Sequence, residues 1–262
     1  MNTNSAGGPP ASITLDGVDI EPLSEQETVS RVMEQLDRGV GGLLLTANVD
    51  IMFKLQKPEN ADISSRSALV VADGMPLVWA SRLIGSPLPA RVTGADLVWS
   101  LSAEAARQGR RVFLLGAGPG VAERAAESFI AQNPGLQIVG TDSPPVGFER
   151  DEQYMTQLAH RLGELQVDIV FVALGFPKQE RVALQLLEDL PSIWFMGCGA
   201  ALDMAAGHVV RAHPVVQAVG GEWVHRLLQE PRRLARRYLI DDLPYAVGLV
   251  GRSAVQRLRS RD

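Results

Sequence analysis

Six apolar runs of strand length recur along the chain, at residues 43–46, 68–71, 112–115, 136–139, 169–172 and 193–196. They read as continuous rather than alternating, which is the pattern of strands covered on both faces; a half-solvated strand would be polar at every second residue. Between most of them lie stretches with helical periodicity, such as 95–108, 121–132 and 153–165. Strands separated by helices imply βαβ units, and so an α/β fold with a parallel sheet flanked by helices on both faces. The first helix has a clear start, because Ser24 and Glu27 stand at capping-box spacing ahead of Val29, Val32, Met33 and Leu36.

The strand ends share a second property. They run into Thr46-Ala47-Asn48, Ala72-Asp73-Gly74, Gly116-Ala117-Gly118-Pro119-Gly120, Gly175-Phe176-Pro177-Lys178-Gln179-Glu180 and Gly197-Cys198-Gly199. In an open parallel sheet, ligands bind outside the carboxyl ends of the strands, so five small or polar ends on one rim describe a site.

Three segments are expected. Residues 1–11 are Gly/Pro-rich, with no basic start and no apolar run, and read as disordered rather than as a signal peptide. Residues 12–206 carry the sheet. Residues 207–262 read as a helical appendage, broken at Pro214, Pro231 and Pro244. No run reaches the roughly 18 apolar residues that a membrane span requires.

Charge divides along the same line. The formal net charge is −5, but nine arginines against four acids from Arg226 onward give the tail +5 and leave −10 for the first 225 residues. The tail interleaves Ala246, Leu249, Val250, Val255 and Leu258 with Arg252, Arg257, Arg259 and Arg261. That is a basic amphipathic segment suited to an anionic membrane surface, and equally to a solvated basic helix. Within 222–238, Trp223 and Tyr238 alone make no stacking platform, so nucleic acid is not an expected partner. The single cysteine, Cys198, excludes a disulfide framework and a Cys-based zinc site, and fits a reducing cytoplasm.

Each candidate group has a plainer reading beside the chemical one. Gly116 and Gly118 open a helix where backbone amides suit a phosphate, or they serve a tight turn. Val121 replaces the third glycine of the dinucleotide fingerprint, while Asp142 stands near the ribose-binding position, which keeps NAD-dependent oxidation as an alternative. Asp73 is a general base or a helix cap. Thr46 and Asn48 are ligand-facing or turn-forming. Pro177 suits a first helical position, and Lys178, Gln179 and Glu180 crowd more polar groups into that turn than a cap needs. Asp-x-Asp is absent and His160, His208, His213 and His225 form no metalloprotease pattern, so no metal is expected. A diphosphate handled without metal needs fixed cations, which arginine supplies in bidentate form. Gly-x-Ser-x-Gly is absent too, which disfavours a serine hydrolase.

Taken in order, Thr46-x-Asn48, Ala72-Asp73-Gly74, Arg91-x-x-Gly94-x-Asp96-Leu97, Phe113-Leu114-Leu115-Gly116, Asn133-Pro134-Gly135-Leu136, Gly175-x-Pro177-Lys178-Gln179-Glu180, Gly207…Arg211-Ala212 and Glu222-Trp223-x-x-Arg226…Glu230-Pro231-x-Arg233-x-x-Arg236-Arg237-Tyr238 resemble the WecG/TagA/CpsF glycosyltransferases, glycosyltransferase family 26. The resemblance covers roughly residues 15–238. It implies a Rossmann-like catalytic domain, a C-terminal appendage that reaches the membrane and closes the active site, and no cofactor. The implied reaction is inverting transfer of a hexose from a UDP-sugar to a polyprenyl-diphosphate-linked saccharide, in synthesis of bacterial cell-envelope or exopolysaccharide polymers. Asp73 would be the base. Thr46, Asn48, Arg91, Gly116, Gly118, Lys178 and Gln179 would line the substrate pocket, and Arg226, Arg233 and Arg237 would meet the diphosphate. The protein would be cytoplasmic and peripheral on the inner face of the membrane, with homo-oligomerisation open; a non-catalytic nucleotide-binding protein at the membrane is the other alternative. This chain departs from the family at Arg211-Ala212-His213-Pro214, at His225 and at Pro144-Pro145-Val146-Gly147-Phe148. The last loop leaves N-acetylmannosamine, glucose and other hexoses open as the donor sugar.

Overall fold

The computed structural model describes residues 11–209, 213, 221–229 and 231–259; the side chains of Arg226, Arg233 and Arg259 lie outside that description. So do residues 1–10, expected to be disordered, and the Arg211-Ala212 element.

A two-stranded hairpin comes first, β1 (Ile13–Leu15) and β2 (Val18–Ile20), joined by Asp16 and Gly17 at φ 45° and 78°. Two consecutive positive φ values make the turn whose twist matches the flanking strands, and Asp-Gly is its usual sequence. Ile13, Leu15, Val18 and Ile20 point inward and Thr14 and Asp19 outward. The sequence reading passed over this hairpin, although the Asp-Gly signal was present.

The elements that follow are α1 (Glu25–Asp37), β3 (Gly42–Ala47), α2 (Val49–Leu55), α3 (Ala61–Arg66), β4 (Leu69–Ala72), α4 (Met75–Ile84), α5 (Gly94–Gln108) and β5 (Arg111–Gly116). Then come α6 (Val121–Gln132), β6 (Gln137–Asp142), α7 (Glu152–Glu164), β7 (Ile169–Ala173), α8 (Lys178–Asp189), β8 (Trp194–Gly197) and α9 (Ala201–Ala205). Helix α1 starts on the expected capping box: Glu27 N–H donates to Ser24 Oγ at 3.3 Å and Ser24 N–H donates back to Glu27 Oε2 at 2.8 Å.

The six long strands form one parallel sheet in the order β4-β3-β8-β7-β5-β6. Continuous apolar runs are what this sheet needs, because successive residues feed different cores. Leu43, Leu45 and Val70 pack on one face with the hairpin, α2 and α8; Leu44, Leu69 and Val71 pack on the other with α1, α5 and α6. Strand β6 departs from the expectation. It is an edge strand of half-exposed residues with a register shift opposite Val112 and Phe113, consistent with the Gln137 that interrupts its run.

The tail is helical: α10 (Glu222–Gln229), α11 (Pro231–Arg236), a π-helical stretch Arg237–Asp242, and α12 (Leu243–Arg259). The break expected at Pro244 does not occur. Arg236 (φ −59°, ψ −49°) and Leu243 (φ −65°, ψ −48°) are both helical, so one path runs from α11 into α12. The wide π turn takes the ring that would otherwise collide with the carbonyl four residues back.

Helix α12 packs on α4, and its inner face also reaches the hairpin turn. Tyr245 Oη donates to Asp16 Oδ2 at 2.9 Å and Arg252 Nε donates to Asp16 Oδ1 at 3.0 Å. Arg252, expected on a basic outer face, is exposed but anchors the helix to the hairpin turn through Asp16. Ile240, Leu243, Val247, Val255 and Leu258 are exposed as well, on the side away from the buried Leu249.

Candidate functional site

Because the sheet is parallel, the five expected strand ends do share one edge. The chain leaves β5 toward β6 on one side and β7 toward β8 on the other, so the loops after Gly116 and Ala173 part company at a topological switch point.

Asp73 follows directly on β4 and its amide donates to Ala47 O at 2.8 Å. Val92 N–H donates to Ala72 O at 2.8 Å and brings the start of α5 against the strand end. Gly94 N–H then faces the carboxylate, donating to Asp73 Oδ2 at 3.4 Å. A Cβ at 94 would lie 3.1 Å from Thr46 Oγ1, so any side chain there would press the threonine away by a few tenths of an ångström. Thr46, Gly94 and Asp73 thus form one tight group. Asp73 is not the cap of the helix that follows it: Gly74 precedes α4 with no side-chain capping bond, and α5 has its own cap in Thr93, whose hydroxyl accepts from Asp96 N–H at 3.0 Å.

Burial pushes the Asp73 carboxyl up to about 6, against the pull of the Arg91 charge and the Gly94 amide; Glu222 and Asp96 push the same way as burial. Arg91 Nη1 is paired with Glu222 Oε2 at 3.3 Å, both side chains largely buried. Helix α10 therefore delivers an acid to the immediate surroundings of Asp73.

Other expected residues resolve differently. Asn48 caps α2, its Oδ1 accepting from Ile51 N–H at 3.0 Å, so the turn-forming reading of Asn48 holds while its amide N–H groups stay available. Gly116 (φ 101°) needs to be glycine, since a Cβ would stand 2.5 Å from Ala173 O. Gly118 has neither a positive φ nor a clash, so backbone geometry does not demand glycine there. Pro177 is the residue before α8 rather than its first, and the Phe176–Pro177 peptide is cis. Lys178 Nζ pairs with Glu149 Oε2 at 3.4 Å, tying α8 to the turn that follows 144–148. Gln179 is buried and its Oε1 accepts from both Gly175 N–H (3.1 Å) and Gly199 N–H (3.2 Å). It braces two rim loops. Asp142 is engaged by Tyr154 Oη at 2.9 Å and lies 3.7 Å from Arg161, which leaves little of it for a ribose.

In the tail, Arg237 Nε lies 3.7 Å from Asp50 Oδ1 and 3.6 Å from Asp242 Oδ2, its guanidinium over the Tyr238 ring at 5.0 Å. Burial, reinforced by Asp50, raises Asp242 to about 6 against the opposing charges of Arg237 and Lys54. The Arg226 and Arg233 side chains, expected beside Arg237, lie outside the described residues. Among the described residues no three His, Cys, Asp or Glu side chains converge as metal ligands. Glu222, Asp96 and Asp50 were not among the expected site residues; Glu222 lies 131 positions from its partner Arg91, a separation with no local signal.

The family described as "Glycosyl transferase WecG/TagA/CpsF family" matches residues 13–260. The chain belongs to this family. It is 33% identical over 213 residues, 81% of this chain and 80% of the relative, to a Bacillus spizizenii protein named N-acetylglucosaminyldiphosphoundecaprenol N-acetyl-beta-D-mannosaminyltransferase. A Bacillus subtilis protein of the same name is 30% identical over 202 residues, 77% of each chain. The WecG/TagA/CpsF signature thus coincides with the α/β sheet and its helical, arginine-rich appendage.

Proposed function

We propose that this protein is an inverting, metal-independent glycosyltransferase that moves a hexose from a UDP-sugar to a saccharide linked to polyprenyl diphosphate, in synthesis of a bacterial envelope polymer or exopolysaccharide. The observation that carries the reading is the Asp73 carboxylate. It stands at the ligand-binding edge of the sheet beside Thr46 and Arg91, and it titrates close enough to neutrality to take a proton and release it. The relatives' names supply the acceptor class, a diphosphoundecaprenol-linked amino sugar, and one donor to test, N-acetylmannosamine.

In this reaction Asp73 removes the proton of the acceptor hydroxyl. Its oxygen attacks the anomeric carbon from the side opposite UDP, and the bond to the diphosphate breaks as the new glycosidic bond forms. Negative charge then gathers on the leaving diphosphate. Arg226, Arg233 and Arg237 are the cations assigned to it, and Arg237 would exchange Asp50 and Asp242 for phosphate oxygens. Thr46, Asn48, Lys178 and the Gly116–Gly118 amides are assigned to donor and acceptor binding. The exposed apolar residues of 239–258 are assigned to an anionic membrane surface, where the lipid-linked acceptor resides. No helix among the described residues is long and apolar enough to cross the membrane.

The test is a panel of UDP-hexoses, with UDP-N-acetylmannosamine and UDP-glucose first, offered with a polyprenyl-diphosphate-linked N-acetylglucosamine in the presence of EDTA. Release of UDP together with a lengthened lipid-linked saccharide supports the proposal. Thermal stabilisation by NAD and not by UDP would contradict it.

A further inference from the structure

The loops leaving β7 and β8 meet at one oxygen. Gln179 Oε1 accepts from Gly175 N–H and from Gly199 N–H, so the spacing of two rim loops depends on which way the Gln179 amide faces. An amide is nearly symmetric in shape, and turning it over would aim its NH2 group at two N–H donors. What stops it turning is the next residue. Gln179 Nε2 donates to Glu180 Oε1 at 2.8 Å, and an acceptor oxygen at that place suits the amide in this one orientation.

The arrangement is tight and costly. Gln179 and Glu180 are only 3% and 1% exposed. Gly197 on β8 passes so close that a Cβ there would lie 2.4 Å from Gln179 Nε2 and 2.5 Å from Glu180 Oε1. Glu180 Oε2 is buried and has no hydrogen-bond partner among the described residues. A carboxyl buried with one orphaned oxygen works against folding, and an apolar side chain of similar size would remove that cost.

We propose that Glu180 is a positioning residue: by locking the orientation of the Gln179 amide, it holds the 175–177 and 198–199 loops in the spacing that the sugar-transfer site requires. This rests on the glycosyltransferase reading, and its test separates the two.

Glu180→Leu and Glu180→Gln are compared with the unaltered protein in three measurements: thermal unfolding, sugar transfer, and amide hydrogen exchange at Gly175 and Gly199. Glu180→Leu is expected to unfold at the same or a higher temperature, to transfer at least tenfold more slowly, and to exchange those two amides faster. Glu180→Gln keeps an acceptor oxygen and is expected to remain within threefold in transfer. A leucine variant that transfers normally, or protects both amides normally, overturns the proposal. So does one that fails to fold, because the carboxylate would then be holding the core. If the unaltered protein transfers no sugar, the functional reading fails by itself, and exchange at the two glycine amides still decides whether Glu180 sets the loops.

Discussion

Arg91 and Glu222 form an ion pair at 3.3 Å that joins the segment before α5 to the first residue of α10, and both side chains are largely buried. Both charges act on Asp73, the arginine holding its carboxyl down and the glutamate pushing it up. The appendage is therefore in electrostatic contact with the proposed base. A base works ionised, so transfer should fall as pH drops through about 6, where burial has placed Asp73. Glu222→Gln removes one of the charges that raise Asp73 and leaves burial and Asp96 against Arg91 and the Gly94 amide, which moves that acid limb to lower pH. A pH–rate profile checks this, and an unmoved limb would disconnect α10 from the base.

Glu180 should leave a mark on stability as well. Burial raises its carboxyl to about 7, opposed by the Gln179 hydrogen bond and the Lys54 charge; the Cys198 thiol is the other titrating group beside it. A carboxyl whose folded value lies above the unfolded one contributes stability at low pH, and that contribution is lost as pH rises through the folded value. The melting temperature of Glu180→Gln should therefore gain on that of the unaltered protein between pH 5 and about 8. A gap constant with pH would contradict the account.

Asp16 fastens α12 to the hairpin turn. Burial alone would raise its carboxyl, but hydrogen bonds from Arg252 and Tyr245 outweigh burial and hold it below the usual aspartate value. Its contribution is present above the unfolded value and is lost as pH falls through the still lower folded one, so neutral pH shows it in full. Asp16→Ala leaves the Tyr245 hydroxyl and Arg252 without their acceptor. It should cost about 1–3 kcal/mol in urea unfolding at pH 7, with Asp16→Asn intermediate.

The apolar outer face of the tail should govern membrane affinity. Ile240 and Val247 are 64% and 66% exposed, and both lie away from the face that holds Leu249. The protein should sediment with vesicles containing anionic lipid, and Ile240→Asp combined with Val247→Asp should abolish this without lowering the melting temperature. Equal sedimentation of the double variant would remove the membrane assignment from this face.

Local chemistry was the legible part of the sequence. Continuous apolar runs gave the sheet, Ser24 and Glu27 gave the start of α1, and the polar strand ends gave the rim that carries Asp73, Thr46 and Gln179. What stayed hidden depends on residues far apart in the chain. Arg252 looked like part of a basic surface because nothing near it shows that Asp16, 236 positions earlier, sits beneath it. Arg237 was expected at the diphosphate, and nothing near it shows that Asp50, on α2, stands beside it. Pro244 looked like a break because the π-helical turn that accommodates it has no pattern in the residues. Asp73 was visible as a carboxylate at a strand end, but its raised titration comes from burial and from the charges of Glu222 and Asp96.

The central claim is that Asp73 is the base of a sugar transfer. The most direct measurement pairs transfer rate with UDP affinity in Asp73→Asn. The amide keeps the shape and an acceptor for Gly94 N–H but cannot take the proton. Transfer should fall by about 10²–10⁴-fold while the affinity for UDP is unchanged. An asparagine variant that transfers sugar at the normal rate would show that the proton goes elsewhere and that the account is wrong.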